Sequence, residues 1–370
     1  MPPPRPATRL AVPLTVALLG VACRAAPAAP LTFAPGRAEP SWELDNPVLP
    51  LPAPPLGSPA DFAATPWVTP AKVRLGRWLF HDPRLSADGT ISCASCHRSA
   101  HGFSEPTATS TGVGGQRGSR KAPPILNAAW PIYPAWFWDG RATSLAEQAR
   151  GPLANPVEMA MPLDAVVATV AARPGYRRAF AEAFGDERLD IDRVAEALAA
   201  YEATRLSGNA PADRFDAGDE AALTPAQRRG RALFFGRAGC NKCHLGPNYT
   251  DSRFHNLGAG WRPPAPGAPA ASGFADPGRA AVTHDARDTG AFKTPTLREV
   301  SRRAPYMHDG SLATLREAVA TYRAGGIPNP WLSELSRPIP LSDTEVDELV
   351  AFLGALDGEG FADRPPRSFP

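Results

Sequence analysis

Two pentapeptides, CASCH (Cys93 to His97) and CNKCH (Cys240 to His244), each place two cysteines three positions apart with a histidine directly after the second. Thiols at that spacing can add to the two vinyl groups of one haem, and the adjoining histidine can ligate its iron. Each pentapeptide therefore reads as a covalent c-type haem attachment site. The chain has five cysteines, and these motifs use four of them: Cys93, Cys96, Cys240 and Cys243. Two disulfides would not call for a histidine beside each pair. A zinc ribbon also uses two cysteine couples, but 143 residues lie between Cys96 and Cys240, far beyond the usual ligand loop.

Two haems permit either an electron carrier or an enzyme. A carrier closes both irons with a second protein ligand, commonly methionine or histidine, whereas an enzyme leaves one iron open. The methionines are Met1, Met159, Met161 and Met307, and the histidines outside the motifs are His81, His101, His255, His284 and His308. Composition and spacing leave the choice among them open.

The motifs must be positioned by helices. TPAKVRLGRWLF (Thr69 to Phe80) precedes the first motif and TPAQRRGRALFF (Thr224 to Phe235) the second, an internal repeat in which each segment reads as an N-capped helix packed on its own haem. Apolar spacing and alanine content predict further helices at Ser144 to Arg150, Leu163 to Ala172, Ile191 to Leu206, Ala313 to Tyr322 and Ser342 to Leu356. No alternating strand pattern stands out, and Gly/Pro stretches such as Gly258 to Gly278 read as loops. The expected fold is mainly α, with two cytochrome-c-like haem domains, 66–207 and 208–370, meeting near Ser207 to Ala217.

Ahead of them, residues 1–23 combine Arg5 and Arg9 with an apolar run from Leu10 to Ala22, too short to span a bilayer but suited to a signal peptide. That run ends in a loose lipobox at Cys23, which would be acylated; the alternative is ordinary cleavage within RAAPAAP. Residues 24–65 are rich in proline and alanine and read as a tether. Export predicts a periplasmic protein, with a membrane attachment only through a lipid at Cys23. The formal charge of +2 includes the two leader arginines, and nothing in it points to nucleic acid.

The runs FWDGRATSLAEQARGPLANPVEM (Phe137 to Met159) and FKTPTLREVSRRAPYMHDGSLATLREAVATY (Phe292 to Tyr322), with the paired haem motifs, resemble the bacterial di-haem cytochrome c peroxidase and MauG family over roughly Pro70 to Leu356. The resemblance implies that the N-terminal haem, ligated by His97, is the one that meets peroxide. On its distal side it implies Gln148, Pro152 and Glu158, with Glu158 ionised and ready to move a proton from one peroxide oxygen to the other. Many such proteins hold this iron closed at rest with a histidine sixteen residues after the proximal one, a count that here reaches Val113, which cannot ligate iron. A permanently open haem is therefore expected.

For the C-terminal haem the resemblance implies an axial residue fourteen positions after His308, and that residue is Tyr322. Tyrosine is what MauG-type proteins have there, where the peroxidases have methionine. Met307 is the alternative ligand, and His308 is expected to hydrogen-bond near the haem. A phenolate favours higher oxidation states and shifts this haem toward storing oxidising equivalents. Trp138 stands at the family's tryptophan between the haems, while Trp130 and Trp136 read as core. The calcium ion that resembling proteins hold between the haems would meet Lys121 in place of an asparagine ligand and Arg303 in place of a threonine, so calcium is expected to be absent, its charge supplied by Lys121 with Arg303. The leading expectation is a peroxidase fed electrons by a small cytochrome c or copper protein. A MauG-like oxidase acting on a partner protein is the second, set against Ala238 at the position of MauG's surface tryptophan, and a non-catalytic di-haem carrier is the third.

Overall fold

The computed structural model describes residues 41–130 and 135–370. The signal peptide, Cys23 and the first part of the tether lie outside the described residues. The fold is mainly α, with two haem units related by the repeat. Its helices are α1 (Ser41–Asp45), α2 (Pro70–His81), α3 (Cys93–Cys96), α4 (Leu145–Ala154), α5 (Leu163–Ala171), α6 (Pro174–Phe184), α7 (Ile191–Ala203), α8 (Pro211–Asp216), α9 (Pro225–Phe235), α10 (Ala280–Thr283), α11 (Leu315–Arg323) and α12 (Asp343–Gly354). No helix among the described residues is long and apolar enough to cross a membrane.

The repeat is visible in packing. Thr69 and Thr224 cap α2 and α9 by accepting from the N–H groups of Lys72 and Gln227, with proline at the first helical position in both. Helix α2 lies on α7 and α9 on α12, each through a glycine. A Cβ on Gly76 would stand 1.9 Å from the Ala197 carbonyl oxygen, and one on Gly230 would stand 1.9 Å from that of Glu348. The equivalent stretches are thus GRWLF (76–80) and GRALF (230–234), one residue out of step with an alignment on the two threonines. Phe80 and Phe234, which end these stretches, are both buried. Burying such a ring contributes about 1.5–3 kcal/mol.

Two cores result. One gathers Leu75, Trp78, Phe80, Val166, Phe180 and Leu198. The other gathers Leu223, Phe234, Val319, Val346, Phe352 and Leu356. The chain's last residues return to the first: Phe361 joins that core, and the Asp363 carboxylate accepts from Arg77 of α2 at 3.0 Å and from the Tyr201 hydroxyl.

Several details differ from the sequence reading. The described part of the Pro/Ala-rich stretch is held down at several points: Trp42 meets Trp78 edge-on at 5.3 Å, Arg77 donates to the Asn46 amide oxygen at 2.8 Å, and Phe62 packs on Trp130. Helix α6 has no counterpart among the expected helices, because its apolar face is carried mainly by aromatics, Tyr176, Phe180 and Phe184, instead of aliphatics. The expected break at Ser207 to Ala217 contains α8, whose Asp213 accepts from its own N-cap amide. A two-residue antiparallel pair, Phe254–His255 with Phe292–Lys293, also forms.

Candidate active site

In the first motif one helical turn, α3, carries Cys93 and Cys96, and His97 follows as its C-cap. The turn therefore presents both sulfurs and the ring together. His97 Nδ1 lies 3.1 Å from the Phe103 carbonyl oxygen. His244 Nδ1 lies 3.0 Å from that of Tyr249. A carbonyl can only accept, so it fixes Nδ1 as the protonated nitrogen and leaves the Nε2 lone pair free for iron. Burial pushes the His244 ring down to about 4, so it is neutral and able to ligate. The four cysteines form no disulfide. Burial pushes the Cys240 thiol up to about 11 and the Cys93 thiol higher still, aided there by Glu202 and Cys96. Each motif thus offers two free thiols and one neutral imidazole, the donor set that a c-type haem takes. Both donor sets fit haem c.

Helix α4 contributes Ala149 and Leu153 to the core on which Cys93 and Ala94 pack, and the loop after it carries Glu158. Ser144 caps α4 by accepting from the Glu147 N–H at 3.0 Å. Pro152, inside the helix, has no N–H to donate, so the Gln148 carbonyl loses its usual partner four residues on. The chain then turns, and the Glu158 carboxylate accepts from the Asn155 amide at 2.6 Å. Glu158 is half-buried, and its charge acts on the thiols of Cys93 and Cys96, which places it beside the motif. Burial raises its pKa above the ordinary glutamate value, opposed by the Asn155 hydrogen bond and Arg141 and aided by Glu105. That upward pull runs against the expectation of a freely ionised carboxylate. Val113 is buried here too, its N–H donating to the Glu158 carbonyl at 2.9 Å. A Cβ on the preceding Gly112 would meet the carbonyl oxygens of Val157 and Glu158 at 2.3 and 2.4 Å, so this loop is locked against the Glu158 segment.

The second motif opens on a cavity of about 240 Å³ lined by Cys240, Cys243, His244, Met307, His308 and Tyr322, among others. Across it the Tyr322 ring faces the His244 ring at 6.5 Å and 75°. Desolvation and the two motif cysteines raise the phenol pKa, although the residue is 37% exposed. Met307 has φ of +72°, strained for a side chain of this kind, and is held in a turn by the Gly310 N–H. His308 stacks on Phe292, ring centroids 3.5 Å apart, and burial pushes it down to about 4. Ala238 is buried in the same lining.

The two halves meet through a short chain of hydrogen bonds. Trp138 Nε1 donates to the Lys121 carbonyl at 2.8 Å. The Lys121 N–H donates to the His308 carbonyl at 2.8 Å. The buried Lys121 ammonium donates to the carbonyls of Glu105 and Thr107, the latter at 3.2 Å, and burial pushes it down to about 8. Arg303, also buried, donates to the Thr296 carbonyl at 2.6 Å. Thus Glu158 lies beside the first motif, with Gln148 and Pro152 on α4 ahead of it, while Tyr322, Met307, His308, Lys121, Arg303 and Trp138 line the cavity at the second.

Three groups near the motifs escaped sequence reasoning. Asp251 accepts from His255 at 2.9 Å, and with Cys243 they form a cluster of metal-ligand type. Because Cys243 is committed to the haem motif, the pair is read as a simple ion pair, with Asp251 holding His255 up to about 9. Glu202 of α7 is buried and pushed up to about 8 by desolvation, with one carboxylate oxygen unpartnered. Lys293 lines the same cavity as His244. Only the last lies in a stretch whose pattern drew attention, FKTPTLR.

Comparison with known proteins places this geometry in context. Residues 70–221 match the family model described as di-haem cytochrome c peroxidase. The chain is similar to the methylamine utilization protein MauG of Methylorubrum extorquens, 43% identical over 294 residues, covering 79% of this chain and 80% of that one. It is similar to the cytochrome c551 peroxidase of Nitrosomonas europaea, 40% identical over 285 residues, covering 77% and 79%. Among solved structures, a MauG-like protein associated with microbial copper homeostasis superposes with a TM-score of 0.72 at 32% identity, covering 87% of this chain and 97% of that one.

Proposed function

This chain belongs to the di-haem cytochrome c peroxidase family, and from that premise we propose that it reduces hydrogen peroxide to water at the His97 haem with electrons passed in through the His244 haem. The chain is a di-haem peroxidase, an oxidoreductase with haem c as its cofactor. Haem c bound at the two motifs supplies irons that deliver two electrons to peroxide, H2O2 + 2 e− + 2 H+ giving two waters. The observation that carries the residue assignment is the Glu158 carboxylate beside the first motif, oriented by Asn155 and partly desolvated.

Glu158 takes a proton from the near peroxide oxygen and returns it to the leaving one. A carboxyl that burial holds above the ordinary glutamate range keeps a proton more readily, which suits it to take one up and return it. Gln148, one turn before Pro152 on α4, is assigned to the same side by its place in the family pattern. The buried Val113 presents no donor atom, so His97 is the single protein ligand assigned to that iron, and a high-spin ferric signal is expected in paramagnetic resonance of the oxidised protein. Trp138, hydrogen-bonded to Lys121, carries electrons between the two sites. The first haem unit is assigned to 66–207 and the second to 208–370, and export to the periplasm accounts for covalent haem.

His244 and Tyr322 are assigned as the ligands of the second iron, supported by their rings facing each other at 6.5 Å. Tyr322→Met is expected to raise the reduction potential of this haem, because thioether favours the ferrous state more than phenolate does. Potentiometry on the variant checks it, and an unmoved potential removes Tyr322 from the assignment. The same tyrosine favours the second reading, a MauG-like oxidation of a partner protein, whereas the buried Ala238 gives an electron hole no aromatic exit there.

Lys121 is assigned the charge that calcium carries in resembling proteins, supported by its ammonium meeting the Glu105 and Thr107 carbonyls. A chelator is therefore expected to leave turnover unchanged; loss that added calcium restores would overturn this. The test of the function itself is peroxide consumption by the holoprotein with a reduced small cytochrome c or cupredoxin. Two donors oxidised per peroxide is the expected stoichiometry, and no donor-dependent consumption would refute the peroxidase reading.

A further inference from the structure

Two cavities share one wall. The smaller, about 80 Å³, is lined by Pro123, Trp136 and Phe137 with polar groups of Asn127, Asn248 and Thr250. The Pro123 carbonyl acts on the His97 ring, so this cavity adjoins the first motif. The larger surrounds Cys240, Cys243 and His244, and both are lined by Trp138 and Lys293. Lys293 is anchored there by its backbone. Its N–H donates to the Trp138 carbonyl at 2.7 Å, and it ends the short strand pair with Phe254 opposite.

Its side chain is poorly served. Arg298 has Asp213, Arg120 has Asp139 and Asp276, and Lys121 has two carbonyls. By contrast Lys293 Nζ makes one long bond, 3.4 Å, to the Thr294 carbonyl among the described residues. Burial pushes its ammonium down to about 8 in spite of the Asp251 charge nearby. An ammonium drawn out of water with no carboxylate in hydrogen-bond reach is costly, and such charges are normally paired. Each haem brings two propionate carboxylates of the opposite charge.

We propose that Lys293 is a positioning residue for both haems: its ammonium, in the wall common to the two cavities, pairs with haem propionate and sets the reduction potentials of both irons together. This rests on the two-haem reading above. A cation beside a propionate cancels a negative charge that would otherwise favour the ferric state, so losing it lowers the potential. Because the wall is shared, the effect reaches both irons and not one alone.

The test is spectroelectrochemical titration of purified holoprotein carrying Lys293→Met, with Lys293→Gln as a second neutral variant and Lys293→Arg as the charge-retaining control. Covalent haem per chain is measured first on a denaturing gel and by pyridine haemochrome. Failure of the wild type to hold two haems would refute the underlying reading, and the proposal with it. With two haems present, both neutral variants are expected to lower both midpoints, by about tenfold in each one-electron reduction equilibrium or about 59 mV. Lys293→Arg is expected to restore most of the shift. Unmoved midpoints, a shift confined to one haem, or an equal shift in Lys293→Arg would each overturn the proposal while leaving the two-haem reading intact.

Discussion

Glu158→Gln is expected to slow the reaction of the oxidised protein with peroxide by about 10²–10⁴-fold, the range over which a positioned proton-transfer group acts. Glutamine matches the shape of the side chain and can keep a hydrogen bond to Asn155, which now reaches the carboxylate at 2.6 Å, but it cannot accept and return a proton. Both haems stay attached, since the thioethers depend on Cys93, Cys96, Cys240 and Cys243. The pH dependence separates this from a loss of shape. Burial raises the Glu158 pKa above the ordinary value of 4.5, so the protonated form persists to higher pH and the rate constant should fall as pH drops through that raised value. In the glutamine variant this acid limb should vanish. Stopped-flow mixing with peroxide across pH reads both effects, and a loss below tenfold with the limb unchanged would remove Glu158 from the chemistry.

Arg298→Met is expected to destabilise the protein by about 3–5 kcal/mol, the cost of leaving one partner of a buried ion pair alone. Arg298 is fully buried and grips Asp213 of α8 with two nitrogens, at 2.5 and 2.9 Å. The same guanidinium donates to the carbonyls of Pro247 and Gly57, both at 2.8 Å. One side chain thereby ties α8, the segment just after His244 and the stretch near residue 57. Methionine fills much of the volume but strands the Asp213 carboxylate and two carbonyls. Lysine is no rescue, because a single ammonium cannot reproduce the planar fork. Urea unfolding of the holoprotein followed by far-ultraviolet dichroism measures the change. A shift under about 1 kcal/mol would mean that water replaces the guanidinium. Removing both partners, as Arg298→Met with Asp213→Leu, should recover part of the loss.

The amino-acid order by itself determined the haem chemistry, because vinyl addition and proximal ligation use residues within one helical turn, Cys93 to His97 and Cys240 to His244. It also determined most helices, since caps such as Thr69 and Ser342 and an apolar face are local signals. The family likeness supplied candidates, Glu158 and Tyr322 among them, but not their surroundings. Those the tertiary structure alone decided. Whether Glu158 is solvated depends on the loop at Gly112 and Val113 closing over it, a contact between segments more than forty residues apart. Whether Tyr322 faces His244 depends on where α11 packs on α12, and burial at such junctions has no periodic trace in sequence. The aromatic face of α6 went unread for a related reason, since Tyr176, Phe180 and Phe184 bury only once α5 and α2 are placed beside them. Lys293 is the sharpest instance: in sequence it is one lysine after a phenylalanine, and only the meeting of two cavities leaves its half-buried ammonium with no hydrogen-bonded anion. Desolvation is a property of the assembled interior, so the charge states that tune this site could not be written in any local pattern.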